Sequence, residues 1–122
     1  MTMIKGIAEN EWEKFLHDFS VRNRGRRSRF EFFAKSNVQE EEAEGHLETI
    51  TLETIGKAAP RLLIKRRDES GTEVRELVET IPAVRRLLVQ LDTDGSEDAL
   101  EIEDPHGKLV LLRMESKVDG AS

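Results

Sequence analysis

Residues 98–113 read DALEIEDPHGKLVLLR and give the clearest local signal of structure in the chain. Apolar Leu100 and Ile102 alternate with glutamates, which is the two-residue period of a strand with one buried face. Asp-Pro-His-Gly then supplies turn residues before a second apolar run that begins at Leu109. The stretch therefore predicts a β-hairpin. Because two paired strands are not stable alone in water, further strands or a helix must cover their apolar face.

The composition favours one soluble globular domain. The chain has 122 residues, of which 37% are hydrophobic and 36% are charged. That length suffices for one hydrophobic core but not for two. We predict a single domain over residues 1–122, with an ordered core at about 9–115 and short flexible termini. The formal net charge of −6 argues against a general affinity for nucleic acids.

The chain contains no cysteine, which excludes disulfides, thiolate catalysis and cysteine-bound zinc. Residues 1–7 lack an apolar core of signal-peptide length. No run approaches the roughly 20 apolar residues that span a bilayer. We therefore expect a cytoplasmic protein with no membrane partner.

A helix is predicted after Asn10, which can cap its start, and Gly25 can end it. Four large apolar residues follow the cap at helical spacing, and the side chains between them are mostly polar. Such a stripe can bind a partner or stack on a cofactor, but it is more typical of a helix that packs on a sheet. The four residues are Trp12, Phe15, Leu16 and Phe19.

Several strand-like segments separated by turn residues lie between the helix and the hairpin. Residues 37–44 contain an acidic run and read as a loop or a short surface helix. The sequence thus predicts an α+β fold, in which an N-terminal helix packs on a curved antiparallel sheet or a small barrel of about six to seven strands. The segments between helix and hairpin are 30–33, 46–55, 62–67, 72–81 and 84–91.

An arginine cluster follows the helix, with five arginines in eight residues. Guanidinium groups match phosphate geometry, so the cluster is a candidate anion-binding site for RNA, DNA or another polyanion. Alternatively, it stabilises the helix C-terminus and offsets the acidic run Glu40–Glu44. We favour the alternative, because the whole chain is acidic and no aromatic residues lie within the cluster. The cluster comprises Arg22, Arg24, Arg26, Arg27 and Arg29.

No pattern in the sequence predicts a catalytic residue, a metal site or a cofactor. The carboxylates of residues 92–98 suggest a calcium loop, but Gly95 is at the fourth position where an EF-hand needs the sixth. His17, His46 and His106 share no metal-ligand spacing. No serine has a nucleophile-elbow context, and no glycine-rich phosphate loop is present.

Two patterns bound a resemblance that covers residues 12–113. They are W-x-x-F-L at Trp12–Leu16 and I-E-D-x-x-G-x-x-x-L-L-R at Ile102–Arg113. With Arg24–Arg26 and Leu52–Ile64 between them, the chain resembles a small bacterial family of single-domain proteins of unknown function. The resemblance implies a bacterial cytoplasmic protein with a compact helix-plus-sheet domain, and it implies no reaction. The acidic run Glu40–Glu44 departs from the family pattern.

Three classes of function follow from these features. Our preferred interpretation is a non-enzymatic protein-interaction module, either a homodimer or a subunit of a larger complex, which needs an apolar patch or an unpaired sheet edge. A polyanion binder needs the arginine cluster beside another basic strip such as Lys65–Arg67. A small enzyme needs a pocket that holds His17 or His46 with a carboxylate.

Overall fold

A computed structural model of the chain describes residues 3–34, 37–41 and 44–115. These residues form one α-helix, a 3-10 turn at Glu9–Glu11 and nine strands, and every strand pair is antiparallel. In chain order the helix and strands are β1 (Met3–Gly6), α1 (Trp12–Arg22), β2 (Arg27–Ala34), β3 (Asn37–Glu40), β4 (Gly45–Glu53), β5 (Arg61–Asp68), β6 (Arg75–Ile81), β7 (Arg86–Leu91), β8 (Glu97–Glu103) and β9 (Leu109–Met114).

The helix α1 lies where the apolar stripe predicts it and packs against the core. Trp12, Leu16 and Phe19 are buried, and Phe15 is partly buried against the same cluster. The predicted cap is wrong, because Asn10 lies inside the 3-10 turn and no side chain caps either helix start. The helix is instead preceded by a tight turn, in which the Glu11 N–H donates to Ala8 O across 2.8 Å.

The predicted hairpin is confirmed as β8 and β9, with Leu100 opposite Leu112. Its turn is held by Asp104, whose Oδ1 accepts the N–H groups of His106 and Lys108, each at 2.9 Å. The hairpin lies near the middle of the sheet, between β7 and β2. The order of paired strands is β1, β7, β8, β9, β2, β4, β5 and β6, and β3 pairs with β2.

The sheet is curved but not closed. β1 and β6 end the order of paired strands, so the small-barrel alternative is wrong for the described residues. A flat sheet of eight strands would be about 35 Å wide, far more than one helix about 10 Å across can cover. Yet buried side chains from β7 at one side and β6 at the other join α1 in one core cluster, so the sheet curves around the helix.

The predicted count of six to seven strands is wrong, because two short strands have no apolar alternation. β1 precedes the predicted start of the core at residue 9, and all four of its residues are exposed. β3 lies within the stretch that we predicted as a loop or a surface helix, and it pairs with β2 through Glu31 opposite Glu40. Residues 42–43 of the acidic run and the terminal residues 1–2 and 116–122 lie outside the described residues.

Candidate functional site

The arginines at the end of α1 bind the start of β8 and the residue after β9. Arg22 forms two hydrogen bonds to Glu97, of 3.0 and 2.8 Å, and these raise its pKa. Arg26 donates to Asn23 Oδ1 at 2.8 Å and to the backbone oxygens of Glu97, at 2.8 Å, and Glu115, at 3.1 Å. These two arginines therefore join the helix end to the sheet.

Arg27 and Arg29 of β2 lie on the outer face of the sheet, which is the face directed away from the core, and they form ion pairs with the acidic run. Arg27 Nη2 is 2.6 Å from Glu44 Oε2, and Arg29 Nη2 is 3.5 Å from Glu44 Oε1, so one carboxylate bridges both guanidinium groups. Arg29 also lies 3.7 Å from Glu40. A polyanion would have to displace these carboxylates. Arg24 is exposed and forms no ion pair with another described residue.

A shallow cleft of about 110 Å³ lies between these side chains on the outer face. Arg113 of β9 stands directly opposite Arg29, and it binds Glu31 of β2. The two like charges would repel each other without carboxylates beside them. The lining is therefore a mixed network of both signs, formed by Arg27, Ser28, Arg29, Glu44, Arg113, Met114 and Glu115.

The second basic strip partly adjoins the cluster. Arg27, His46 and Arg67 stand side by side across β2, β4 and β5. Glutamates accompany this row, since Arg67 Nε is 2.8 Å from Glu48 and His46 Nδ1 is 3.6 Å from Glu69. The row carries charges of both signs, and binding of a polyanion there stays the less favoured alternative.

Arg66 is directed away from this row, into the core. Its side chain is 2% exposed, and its guanidinium lies 4.5 Å from the centre of the Phe30 ring. Nη1 donates to Ser28 O at 3.1 Å and Nη2 to Glu41 Oε2 at 2.7 Å, while Nε has no hydrogen-bond partner among the described residues. Strand periodicity explains the burial, because Arg66 shares a face with Leu62 and Ile64.

The three histidines do not share a site. His46 lies on the outer face, His17 is exposed on α1, and His106 is in the turn between β8 and β9. A second cleft of about 260 Å³ lies between residues 6–12 and residues 85–88, and neither it nor the arginine-lined cleft contains a histidine.

The acidic turn between β7 and β8 uses its carboxylates for turn hydrogen bonds. Asp92 Oδ1 accepts the Thr93 N–H at 2.7 Å, and Asp94 Oδ1 accepts the Ser96 N–H at 2.9 Å. Gly95 has a φ of 87°, which suits glycine in such a turn. Within residues 3–34, 37–41 and 44–115, no group of three or more potential ligand side chains could hold a metal ion.

β6 is the last strand in the order of paired strands, and one of its two edges is free along its whole length in the described part of the chain. One side of its seven residues pairs with β5, and the other side has no strand partner in the described part of the chain. Val78 at its centre is 50% exposed. The sequence predicts strand-like segments at 62–67 and 72–81, but it does not show that β6 ends the sheet, because strand order depends on long-range contacts.

No helix in the described ranges is long and apolar enough to cross a membrane.

No protein-family model matches the chain, and comparisons with curated proteins and with solved structures find no match. The resemblance to a bacterial family, based on the patterns at Trp12–Leu16 and Ile102–Arg113, therefore stays a prediction.

Proposed function

We propose that this protein is a non-enzymatic protein-interaction module whose binding surface is the free edge of β6. The observation that carries the proposal is a seven-residue strand with one unpaired side. In an antiparallel sheet, about half of the N–H and C=O groups of an edge strand point away from its neighbour. An extended segment of a partner can use those groups to add a strand to the sheet.

β6 is better suited to this role than the free edges of the two short strands β1 and β3. β1 and β3 have four residues each, and β1 carries Lys5, a residue type that blunts sheet edges. β6 contains neither lysine nor proline, and its charged residues are Arg75, Glu76 and Glu79. Arg75 at its start is held by the buried carboxylate of Asp68 on β5. A longer edge offers more backbone hydrogen bonds to an added strand.

The side chains of β6 provide a contact surface on both faces of the sheet. Val78 and Thr80 are exposed on the outer face, where Val78 stands opposite Lys65. Leu77 is half-buried on the inner face. An added strand would place alternate side chains against these two surfaces, which is how strand addition achieves specificity.

The ion pairs of the arginine cluster also favour a protein-binding role over capture of a polyanion. The carboxylate of Glu44 already bridges Arg27 and Arg29.

The proposal includes a cytoplasmic location, which the absence of cysteine supports, and a bacterial source, which the sequence resemblance supports.

A displayed library of extended peptides tests the proposal without knowledge of the natural partner. Peptides selected against the parent protein are measured against Val78→Glu on β6 and Ile4→Glu on β1. The two positions are matched, since Val78 is 50% and Ile4 is 55% exposed on a free edge. We expect Val78→Glu to weaken binding by about tenfold, because a charge at the centre of an edge opposes strand addition, and Ile4→Glu to leave it unchanged.

Amide chemical shifts provide the second readout. Addition of a selected peptide should shift the amide signals of Arg75–Ile81 and leave those of Met3–Gly6 in place. A library that yields no ligand, or ligands that bind Val78→Glu as tightly as the parent, would contradict the proposal.

A further inference from the structure

The strongest unexplained group at the β6 edge is the carboxylate of Glu79. Glu79 stands opposite Ile64, which is fully buried, so it lies on the inner face of the sheet. The residue is half-buried, and its carboxylate forms no hydrogen bond or ion pair with another described residue. Burial, with repulsion from Glu41, raises the pKa of Glu79, and Arg66 opposes this rise in part. The free edge thus contains an inward-facing acid without a directly bound cation.

An inward-facing charge on an edge strand opposes pairing with most other strands. An added strand covers the charge and removes water from it, which costs free energy unless the new strand brings an opposite charge. A strand with a cation opposite Glu79 avoids that cost. Glu79 therefore selects among partner strands, and it favours one that is basic at this position.

β6 contains such a cation in a suitable place. Arg75 is four residues before Glu79, so the two side chains lie on the same face of the strand. We infer that β6 binds a second copy of β6, antiparallel, about a two-fold axis at Leu77. In this register Arg75 of each copy faces Glu79 of the other copy, and the two Leu77 side chains face each other. The inference rests on the proposed function of the β6 edge and names its partner.

Arg75 remains able to bind Glu79 of a second copy although it already binds Asp68. Its side chain is 68% exposed, and a guanidinium has five N–H donors. The buried carboxylate of Asp68 also accepts hydrogen bonds from the Ser70 N–H, at 2.9 Å, and the Ser70 hydroxyl, at 2.6 Å, so it is fixed in place. Arg75 is therefore held at the free edge before a partner arrives, which lowers the entropy cost of pairing.

The alternative register about Val78 is less favourable. It would place Leu77 opposite Glu79 and Arg75 opposite Ile81, so neither inner-face charge would have an opposite charge across the new pair of strands. The Leu77 register instead forms two Arg75–Glu79 pairs, because the two-fold axis repeats the contact. Charge complementarity therefore specifies the register as well as the partner.

Two charge reversals test the inference by sedimentation over a range of concentrations. Arg75→Glu alone creates facing glutamates, and Glu79→Arg alone creates facing arginines, so each variant should self-associate at least about tenfold more weakly than the parent. An equimolar mixture should form a heterodimer, because each contact then joins a glutamate to an arginine. Loss of folding cannot produce this recovery. Circular dichroism and Trp12 fluorescence report the folded state of each variant.

Arg75→Glu also loses the contact with Asp68, so a second comparison uses Glu79→Arg alone. Association should decrease from the parent homodimer, to the mixture of parent and Glu79→Arg, to the Glu79→Arg homodimer. A parent that stays monomeric at all concentrations would overturn the inference, and so would a mixture that fails to recover. Neither result bears on strand addition by selected peptides, which the Val78 and Ile4 comparison tests separately.

Discussion

Arg66 Nη2 donates to Glu41 Oε2 across 2.7 Å, and this ion pair connects the core face of β5 to the residue after β3. The two partners differ in burial, because the Arg66 side chain is 2% exposed and the Glu41 side chain 25%. The Glu41 backbone N–H also donates to Phe30 O at 2.8 Å. The pair therefore fixes the chain beside β2 at the point where β3 ends.

Removal of the two partners should have unequal effects on stability. Glu41→Gln leaves a buried guanidinium without its counter-charge, which typically costs about 3–5 kcal/mol, and we expect the lower end because Glu41 is partly hydrated. Arg66→Met removes the buried charge and leaves an acid that can reach water, so we expect a smaller loss. Chemical denaturation measures both. A larger loss in Arg66→Met than in Glu41→Gln would contradict this account.

The outer-face pair of Glu48 and Arg67 provides the matched control for these variants. Its atoms approach nearly as closely, at 2.8 Å, but Arg67 is 46% exposed. Exposed ion pairs typically contribute about 0–1 kcal/mol. Glu48→Gln should therefore change the unfolding free energy by less than about 1 kcal/mol.

Trp12 should be a main determinant of stability. Its side chain is 2% exposed, and its indole N–H donates to Ile7 O at 2.9 Å. Trp12→Ala should lower the unfolding free energy by about 3–5 kcal/mol, through the lost burial and the cavity left behind. Val21→Ala on the exposed side of α1, where Val21 is 53% exposed, should change it by less than about 0.5 kcal/mol. Equal thermal midpoints for the two variants would exclude a docked helix.

Gly45 should not tolerate a side chain. A Cβ at this position would lie 3.0 Å from Arg66 Cβ and 3.2 Å from Leu77 Cδ1, closer than ordinary contact. Gly45→Ala should cost about 1–3 kcal/mol, since Arg66 is buried and its Cβ can move little. At Gly6, by contrast, a Cβ meets nothing within 4 Å. Gly6→Ala should therefore leave the unfolding midpoint nearly unchanged, and an equal loss at both positions would contradict the packing around Gly45.

Asp68 should make the fold sensitive to acid. Hydrogen bonds from Ser70, and then the contact with Arg75, hold the pKa of Asp68 below its usual range. A carboxyl whose pKa is lower in the folded state stabilises that state above the unfolded pKa of about 3.9. The stabilisation is lost as the pH falls below that value. Between about pH 4 and pH 2, parent stability should therefore fall more steeply than that of Asp68→Asn, and parallel pH profiles would contradict the assignment.

Local periodicity predicts a helix or strand when its buried residues recur at one constant spacing along the sequence. The stripe that starts at Trp12 predicts α1, and the alternation at Leu100 and Ile102 predicts the C-terminal hairpin. β4 shows the limit of this approach. Leu47 and Ile50 are both buried although they are three residues apart, because the pairing with β5 shifts between Leu47 and Thr49. Such a bulge is not visible in a two-residue period.

The candidate binding edge depends on long-range order that the sequence does not reveal. Residues 72–81 predict a strand, but only the sheet order shows that β6 has a free side. Arg66 is a similar case, because Lys65–Arg67 reads as one basic strip until the structure directs Arg66 into the core beside Phe30. The arginine cluster is visible in the sequence, whereas its carboxylate partners require the fold.

Amide hydrogen exchange of the parent protein, in dilute and in concentrated solution, tests most directly whether β6 receives a strand from a second copy. We expect the amides of Arg75–Ile81 that point away from β5 to exchange more slowly as concentration rises, because they gain hydrogen bonds across the new strand pair. The amides of Met3–Gly6 should exchange at an unchanged rate. Exchange in β6 that is independent of concentration, or new protection in β1 instead, would contradict this pairing.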